Sequence, residues 1–381
     1  MNAESIENKT VIVKVTSGCN LECSYCYYHP SRGNNEPFVV MSKDLLSRLV
    51  EQVLRTIPGN IGFIWHGGEP LLAGKEFFEE ILKQQKRFEE EDRIVTNSIQ
   101  TNATLLNDEW VDFLYGNDFD IGVSLDGPSH VQNKFRMDGQ GEGSYLRAMN
   151  GLKSLLGRES SFGLLSVVTQ YGAKFPDEVF DFFVSNGLLR FDFLPCVDVN
   201  PQTSRLSNYA VAPEDFADFM IRIFDLWMNQ DNPDIKIRYL ESIIALLIGG
   251  NANLCAFADT CSGFITIDYK GDIYPCDCLI ADWPFLFGNL LNDSLYNILT
   301  SVQYKKFLDD VQCKPSGCTK CKWFSICKSG CSQHRFMVDR RFDSRNYFCE
   351  ANFKIIEHVN SKIDSIFERA RNIAEGEAKI V

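Results

Sequence analysis

Three cysteines near the N-terminus have the spacing of a metal-cluster loop. Cys19, Cys23 and Cys26 form a Cys-x3-Cys-x2-Cys pattern on one short segment. Three thiolates leave one iron of a four-iron cluster without a protein ligand, and such an iron can chelate a substrate through amine and carboxylate groups. A structural zinc site completed by His29 is the alternative, because zinc prefers a closed set of four ligands. The pattern favours a reactive iron–sulfur centre.

Composition limits the class of protein. The chain has 381 residues, 45% of them hydrophobic, which is enough for one large domain and a smaller one, or for two to three ordinary domains. Its formal net charge is −13 and it has no long basic run, so nucleic acid is not an expected partner. With no signal peptide in residues 1–10 and no apolar run near the roughly 20 residues of a membrane helix, we expect a cytoplasmic protein with no membrane partner. Because thiols are kept reduced in that compartment, the 14 cysteines are not expected to form a disulfide framework.

Short β-type runs alternate with helical patterns over the first half of the chain. Ser42 is a predicted cap for a helix whose apolar residues recur from Leu45 to Val53, and Pro58-Gly59 ends it. Repeated β-α units predict a parallel sheet, either open or curled into a barrel. The six predicted strands are Val11–Val15, Ile61–Trp65, Ile94–Ile99, Asp120–Leu125, Phe162–Val168 and Phe191–Leu194.

Unusual short motifs follow the first four of these strands. They are Cys19–Cys26, Gly67-Gly68-Glu69-Pro70, Gln100-Thr101-Asn102 and Asp126-Gly127-Pro128. In parallel α/β folds, ligands bind at the carboxyl ends of the strands. We therefore expect the four motifs to converge on one pocket.

The second half of the chain has a different character. An apolar helix is predicted from Pro213 to about Met228. Ten cysteines lie from Cys255 to Cys349 in turn-rich sequence, which predicts a small domain folded around metal. A final helical pattern runs from Phe353 to Ala374. We expect domain boundaries at 1–235, 236–350 and 351–381.

The residues from Cys19 to Cys26, with the sequence Cys-Asn-Leu-Glu-Cys-Ser-Tyr-Cys, resemble the signature of radical S-adenosylmethionine (SAM) enzymes. The resemblance extends to Gly67–Pro70 and to Ser124–Pro128, and the cysteine-rich region is similar to the SPASM extension. It implies an α/β fold with a partial (β/α)6 barrel, followed by a small cysteine-rich SPASM domain and a C-terminal helix. It also implies S-adenosylmethionine and three [4Fe–4S] clusters as cofactors.

The resemblance assigns the cysteines to three clusters. Cys19, Cys23 and Cys26 would hold the cluster that binds the cofactor. The spacing from Cys318 to Cys331 is a strong signal, because thiolates this dense rarely arise as core packing. Cys255, Cys261, Cys276 and Cys331 would hold the first auxiliary cluster, and Cys318, Cys321, Cys327 and Cys349 the second.

Three cysteines, Cys196, Cys278 and Cys313, are left over. A free cysteine is commonly a small buried apolar side chain, and we expect that role for them. Cys313 lies near the expected cluster ligands, so it is also a candidate replacement for one of them.

Other residues match the places where the family contacts cofactor or substrate. Asp277, between Cys276 and Cys278, resembles the proton-accepting aspartate of anaerobic sulfatase-maturing enzymes; the alternative is a carboxylate that caps a turn. His66 is an expected pocket residue. The expected cofactor-binding residues are Tyr25, Gly67, Gly68, Glu69, Ser124, Arg136 and Val197.

Two enzymatic functions share this machinery. The family cleaves S-adenosylmethionine to a radical that takes hydrogen from an unactivated carbon, with an electron donor such as flavodoxin or ferredoxin. Trp65-His66 departs from sulfatase-maturing enzymes, which usually carry glutamine after the aromatic residue, and is similar to maturases that crosslink a precursor peptide into a cyclophane. We favour the peptide maturase, for which the few residues before the first strand predict no leader-binding domain at the N-terminus. Oxidation of cysteine or serine to formylglycine is the second hypothesis, and a non-catalytic iron–sulfur electron carrier is the third.

Overall fold

The structure is a computed structural model that describes residues 9–28, 38–90, 92–158, 162–200, 205–230, 232–258, 260–280 and 285–367. His29, the possible fourth zinc ligand, lies outside these residues. So does the predicted C-terminal helical pattern beyond residue 367. No helix in the described ranges is both long enough and apolar enough to cross a membrane.

The predicted strands of the first half are confirmed to within two residues at each end. Shorter strands that the sequence did not predict also form. In chain order the strands are β1 Lys9–Lys14, β2 Ile61–His66, β3 Val95–Thr101, β4 Phe119–Ser124, β5 Phe162–Val168, β6 Arg190–Pro195, β7 Val199–Asn200, β8 Arg205–Leu206, β9 Lys236–Ile237, β10 Phe264–Ile267, β11 Asp272–Tyr274 and β12 Gly288–Asn289.

Helices separate the strands, as the alternating pattern predicts. They are α1 Lys43–Thr56, α2 Lys75–Lys86, α3 Asp108–Gly116, α4 Ser129–Phe135, α5 Tyr145–Leu155, α6 Pro176–Ser185, α7 Pro213–Asn229, α8 Arg238–Leu247, α9 Leu295–Thr300, α10 Val302–Gln312, α11 Phe324–Cys327, α12 Ser332–Asp339 and α13 Cys349–Ser361. The predicted cap of α1 is confirmed, because the Ser42 side chain accepts the Leu45 N–H.

The chain divides into two compact units. The first comprises Met1–Leu125, Gln132–Gly163 and Thr260–Gln312. In it, β1 to β4 are parallel neighbours, so their carboxyl ends share one edge of the sheet. On the other side of β1, β10 pairs in parallel and continues antiparallel into β11 and β12. Alternate residues of β1 and β2, including Val11, Val13, Phe63 and Trp65, are fully buried.

The second unit comprises Asp126–Val131, Leu164–Asp259 and Cys313–Val381. Its strands β5, β6 and β9 are parallel. Pro213 opens α7, which buries Phe216, Phe219, Met220, Ile223 and Phe224, as the apolar periodicity predicts. Helix α13 packs on α7, where His358 Nε2 lies 2.7 Å from an Asp225 carboxylate oxygen.

Candidate functional site

The cysteine loop follows β1 and is anchored by backbone hydrogen bonds in the first unit. The Ser24 N–H donates to Phe135 O at 3.0 Å, and the Glu22 N–H donates to Met137 O at 2.6 Å. Cys23 is buried, while Cys26 packs against the apolar cluster of Tyr28, Tyr274 and Ile280. The loop is therefore held in place by the protein itself.

The thiols of the described residues do not converge on one point. No three side chains of His, Cys, Asp or Glu within the described ranges are close enough to hold a single metal ion. Burial, with the charge of Glu69 adding to it, raises the pKa of Cys19 to about 12. Cys23 and Cys26 lie close enough to Cys19 for their charges to contribute to raising its pKa. Because a ligating cysteine must be a thiolate, cluster assembly at Cys19 should release a proton.

The glycines after β2 let their loop lie directly against the cysteine loop. The Glu69 N–H donates to Gly18 O at 2.8 Å, and the Gly68 N–H donates to Thr16 O at 3.1 Å. A Cβ on Gly68 would lie 1.9 Å from Gly18 O, and Gly67 has a φ of +136°, so side chains are excluded at both positions. This contact joins the first two sequence motifs.

Glu69 is a buried carboxylate held by neutral donors. Its Oε1 accepts from the Thr101 hydroxyl at 2.7 Å and from the Leu71 N–H at 3.1 Å, and Oε2 accepts from the Asn102 N–H at 2.8 Å. No lysine, arginine or histidine of the described residues forms an ion pair with it. Burial raises its pKa to about 7 despite these bonds. A cationic amino group, as the resemblance implies, is the partner that such a site lacks.

The third motif, Gln100-Thr101-Asn102, also contacts the first two motifs. The Asn102 amide donates to Asn20 Oδ1 at 2.9 Å and contacts Cys19 Sγ at 3.8 Å. Asn20 in turn donates to the Thr104 hydroxyl at 2.7 Å. Three of the four motifs therefore converge as predicted. Asp126 belongs to the second unit, where it accepts the Val167 N–H at 3.0 Å.

Aromatic and cationic side chains contact one another near the cysteine loop, within the first unit. The Arg136 guanidinium lies 5.4 Å from the centroid of the Tyr25 ring, and the Phe135 ring meets the same tyrosine edge-on at 6.1 Å. At the end of β4, the Ser124 hydroxyl accepts from the Gln100 amide at 3.0 Å. The predicted contacts of Tyr25, Arg136 and Ser124 with the cofactor stay predictions, although an aromatic ring beside a guanidinium is a surface on which an adenine can stack.

Asp277 lies in a cluster of charged and phenolic groups. Its carboxylate pairs with the fully buried Lys14 ammonium at the end of β1 and accepts from the Tyr27 hydroxyl. Lys14 also donates to the Tyr27 hydroxyl at 3.1 Å. Burial alone would raise the pKa of Asp277, but the Lys14 charge and the hydrogen bonds outweigh it and lower that pKa below its ordinary value. Asp277 is therefore ionised at neutral pH.

His66 faces the same charged cluster. Its Nδ1 lies 2.8 Å from the Gly67 nitrogen and 3.2 Å from the Gly67 carbonyl oxygen, so these contacts fit either tautomer of the ring. Burial, with the Lys14 charge adding to it, lowers the pKa of His66 to about 4. The side chain is therefore a neutral hydrogen-bonding group at physiological pH. The nearby Tyr28 hydroxyl is buried with no hydrogen-bond partner among the described residues, which suits a place for substrate or cofactor.

The second set of cysteines lines a cavity in the second unit. Cys318, Cys321, Cys327 and Cys349 all face this cavity of about 780 Å³. The Asn352 amide lies 3.7 Å from Cys327 Sγ and is itself oriented by the Tyr239 hydroxyl at 2.8 Å. Cys331 is not among the described residues that line the cavity. This grouping fits the second cluster that the resemblance implies.

The first auxiliary set and the cofactor contact at Val197 remain predictions. Cys261 and Cys276 belong to the first unit, and Cys255 and Cys331 belong to the second. Val197 is half-buried beside Cys196, whose N–H donates to Val168 O at 2.9 Å.

The left-over cysteines divide into two groups. Cys196 is buried, as expected, but Cys278 and Cys313 are exposed. The expectation of a buried apolar role is therefore wrong for Cys278 and Cys313. Cys278 lies in the solvent-facing turn that follows Cys276, and Cys313 follows the last residues of α10, so neither position points into a core.

Sequence reasoning missed Lys14 and Tyr27, which hold Asp277. A lysine directly after the apolar run Val11–Val13 was the available signal for Lys14. Nothing in the pattern signalled Tyr27, because its contact lies 250 residues away along the chain.

Comparisons with known proteins match both parts of the chain. Residues 13–168 match the radical SAM superfamily, and residues 250–322 match the SPASM iron–sulfur cluster-binding domain. The cysteine-type anaerobic sulfatase-maturating enzyme of Clostridium novyi (strain NT) is 30% identical over 357 residues, which cover 93% of this chain and 95% of the relative. The serine-type enzyme of Bacteroides thetaiotaomicron is 29% identical over 385 residues, covering 95% and 92%.

A solved structure is similar over nearly its whole length. The structure of native anSMEcpe with bound AdoMet and Cp18Cys peptide has a TM-score of 0.86 and 29% identity, and covers 96% of this chain and 99% of that one. The expected fold class, a radical SAM α/β domain followed by a cysteine-rich SPASM domain, is confirmed.

We predict that replacing Cys19, Cys23 and Cys26 together by alanine abolishes cleavage of S-adenosylmethionine, because no iron remains to chelate it. Reduced parent protein should release 5′-deoxyadenosine, measured by chromatography, and the variant none. Iron analysis should show the loss of one cluster, with an unchanged far-UV circular dichroism spectrum. Undiminished cleavage by the triple variant would contradict the assignment of this loop.

We predict that Glu69→Gln weakens cofactor binding at pH 8 by roughly 1.5–3 kcal/mol, the worth of a hydrogen bond to a charged group. This is at least a tenfold rise in Kd, measured by titration. The parent should also lose affinity as the pH falls through about 7, because Glu69 is then protonated. The variant should show no such dependence.

Stability separates this effect from misfolding. The pKa of Glu69 is higher in the folded state than its ordinary 4.5, so ionisation costs the folded protein stability as the pH rises from about 4.5 to about 7. Cofactor-free Glu69→Gln avoids that cost but replaces one acceptor oxygen by an NH2 donor, so its free energy of unfolding at pH 7 should stay close to that of the parent. Glu109→Gln, at an exposed partner of Lys75, is the matched control. Equal affinity in all three proteins would show that Glu69 does not hold the cofactor.

Proposed function

We infer the function of this chain from its family, because it belongs to the radical SAM superfamily and, within it, to the anaerobic sulfatase-maturating enzymes. It is an oxidoreductase that uses S-adenosylmethionine and three [4Fe–4S] clusters and modifies a peptide or protein. An external one-electron donor, such as a flavodoxin or ferredoxin, belongs to the proposal.

We propose that the chain oxidises the Cβ of a cysteine or serine in a protein substrate to formylglycine. Relatives named cysteine-type and serine-type sulfatase-maturating enzymes both match at about full length, which supports this reaction over the crosslinking that the sequence favoured. The observation that carries the proposal is the ionised Asp277 carboxylate, held by Lys14 and Tyr27 beside His66.

The residues of the first unit supply binding and proton transfer. When bound, the cofactor and its reduced cluster supply a 5′-deoxyadenosyl radical that takes one hydrogen atom from the substrate Cβ. Glu69 receives the cofactor amino group, and the Tyr25 ring and the Arg136 guanidinium bound the adenosine side. Asp277 would accept the proton that leaves the substrate in its second one-electron oxidation, for which an auxiliary cluster would supply the electron acceptor.

Asp277 can accept this proton because of its surroundings. Lys14 and Tyr27 keep the carboxylate ionised and fix its direction, so it is in its basic form before the reaction starts. Its lowered pKa makes it a weak base, which suffices for the acidic proton of an oxidised substrate. For a cysteine substrate, loss of two electrons and two protons gives a thioaldehyde, and water then replaces the sulfur to give the aldehyde and hydrogen sulfide.

One observation favours the second candidate, a maturase that crosslinks a precursor peptide. His66 takes the place where sulfatase-maturing enzymes usually carry glutamine, and its neutral ring lies within electrostatic reach of Asp277. A glutamine amide offers two N–H donors and an acceptor oxygen, whereas a neutral imidazole offers one donor and one acceptor nitrogen. The exchange alters which substrate group can bind there, so it bears on substrate choice.

We predict that the reconstituted enzyme forms an aldehyde on a synthetic peptide that carries cysteine or serine in a sulfatase-type sequence. A hydrazide probe with mass spectrometry detects the aldehyde, and 5′-deoxyadenosine should form in step with it. A peptide with aromatic residues and no cysteine or serine is the comparison. Loss of two hydrogens from that peptide, with no aldehyde on the first, would instead support the crosslinking maturase.

We predict that Asp277→Asn uncouples the two halves of the reaction. The variant should still transfer deuterium from a labelled substrate Cβ into 5′-deoxyadenosine, because hydrogen abstraction does not need the carboxylate. Aldehyde formation should fall by roughly two to four orders of magnitude, the usual contribution of a positioned base. Asp310→Asn, on the exposed surface of α10, is the control. Normal product from Asp277→Asn with three clusters present would leave Asp277 with the turn-capping role.

A further inference from the structure

Lys9, the first residue of β1, is a buried cation that the proposed mechanism does not use. Only 1% of its surface is exposed, and it ranks among the largest fully buried side chains of the described residues. Burial lowers its pKa to about 8, which still leaves it charged at neutral pH. Lysine is almost never buried without a partner.

The contacts of the Lys9 ammonium are to neutral oxygens. It donates to the backbone carbonyl of Ser262 and, at 3.4 Å, to the Tyr304 hydroxyl, and it lies 5.9 Å from the centroid of that ring. Within the described residues, no carboxylate forms an ion pair with it. A buried charge that is not balanced by an opposite charge is strongly destabilising. A negatively charged group next to the Lys9 ammonium would offset this cost.

The position of Lys9 indicates which group this is. Ser262, whose carbonyl accepts from Lys9, directly follows Cys261 along the chain. Ser262, Tyr304 and Cys261 all belong to the first unit with Lys9. A [4Fe–4S] cluster held by thiolates is net negative, and it gains one more negative charge on reduction.

We propose that Lys9 is the counter-charge of the auxiliary cluster held by Cys261, and that it raises the reduction potential of that cluster. The inference rests on the proposed function for the assignment of Cys261 as a ligand. A buried cation stabilises the reduced cluster more than the oxidised one, because the reduced form carries the larger negative charge. Lys9 thereby makes the cluster a better acceptor for the second substrate electron.

The test is an electron paramagnetic resonance titration of the auxiliary clusters in the reconstituted, substrate-free protein. Lys9→Met should lower the ratio of reduced to oxidised cluster about tenfold at a fixed potential, a shift of about 59 mV to more negative values for one electron. Lys305→Met removes an exposed lysine that follows Tyr304 in α10, and it should leave the reduction potential of the cluster unchanged. Tyr304→Phe removes one hydrogen bond while keeping the charge, so its shift should be smaller.

A second measurement separates the electrostatic role from a structural one. In the cluster-free protein, Lys9→Met should be at least as stable to urea as the parent, because it removes an uncompensated charge. With clusters loaded, the variant should lose iron to a chelator faster than the parent does. Lower stability of the cluster-free variant would mean that Lys9 serves the fold and would overturn the proposal, even if no cluster assembles.

Three further outcomes also test the proposal. An unchanged potential in Lys9→Met, or an equal shift in Lys305→Met, would overturn the proposal. So would a full iron content in Cys261→Ala, since Cys261 would then hold no cluster. None of these measurements uses a substrate. Failure of aldehyde formation would therefore count against the proposed function and leave the role of Lys9 standing.

Discussion

The contact between the Gly18 carbonyl and the loop after β2 is the constraint on which the rest of the site depends. The carbonyl accepts the Glu69 N–H at 2.8 Å, and Gly68 lies too close to it for any side chain. One backbone hydrogen bond thus sets the distance between the cysteine loop and the Glu69 carboxylate, the proposed contact of the cofactor. A methyl group at residue 68 would separate the two, although it would change no chemical group of the site.

Buried charged side chains in the first unit are stabilised in two different ways. Among the described residues, Glu69 has only neutral donors and Lys9 only neutral acceptors, whereas Lys14 pairs with Asp277. Although burial opposes it, the Lys14 charge lowers the pKa of Asp277, while burial moves the pKa values of Glu69 and Lys9 towards neutrality. A buried charge of this kind favours a partner of opposite charge, and the proposed partner of Glu69 is the cofactor amino group.

Much of the fold was predictable because it rests on local chemistry. The Ser42 cap, the apolar face of α1 and the proline that opens α7 act over one or two helical turns, so their effect is visible in short windows of sequence. The pairing of β10 with β1 was not predicted. A four-residue strand between cysteines has too little periodicity to stand out, and its partner lies far back along the chain.

The amino-acid sequence by itself indicated the cysteine motifs, the glycine loop and the family, because these depend on residue type and on short spacings. The assignment of the cysteines to the three clusters stays a prediction. Only the tertiary structure decided which charges meet. Tyr27 and Asp277 lie 250 residues apart along the chain, and no pattern in either segment predicts their contact. The ionisation of Asp277 and the neutral state of His66 follow from burial and from through-space neighbours. The same holds for Lys9, which is buried and has no paired carboxylate among the described residues. Those properties exist only once the strands have been brought into register, because the electrostatic energy of a group depends on everything packed around it.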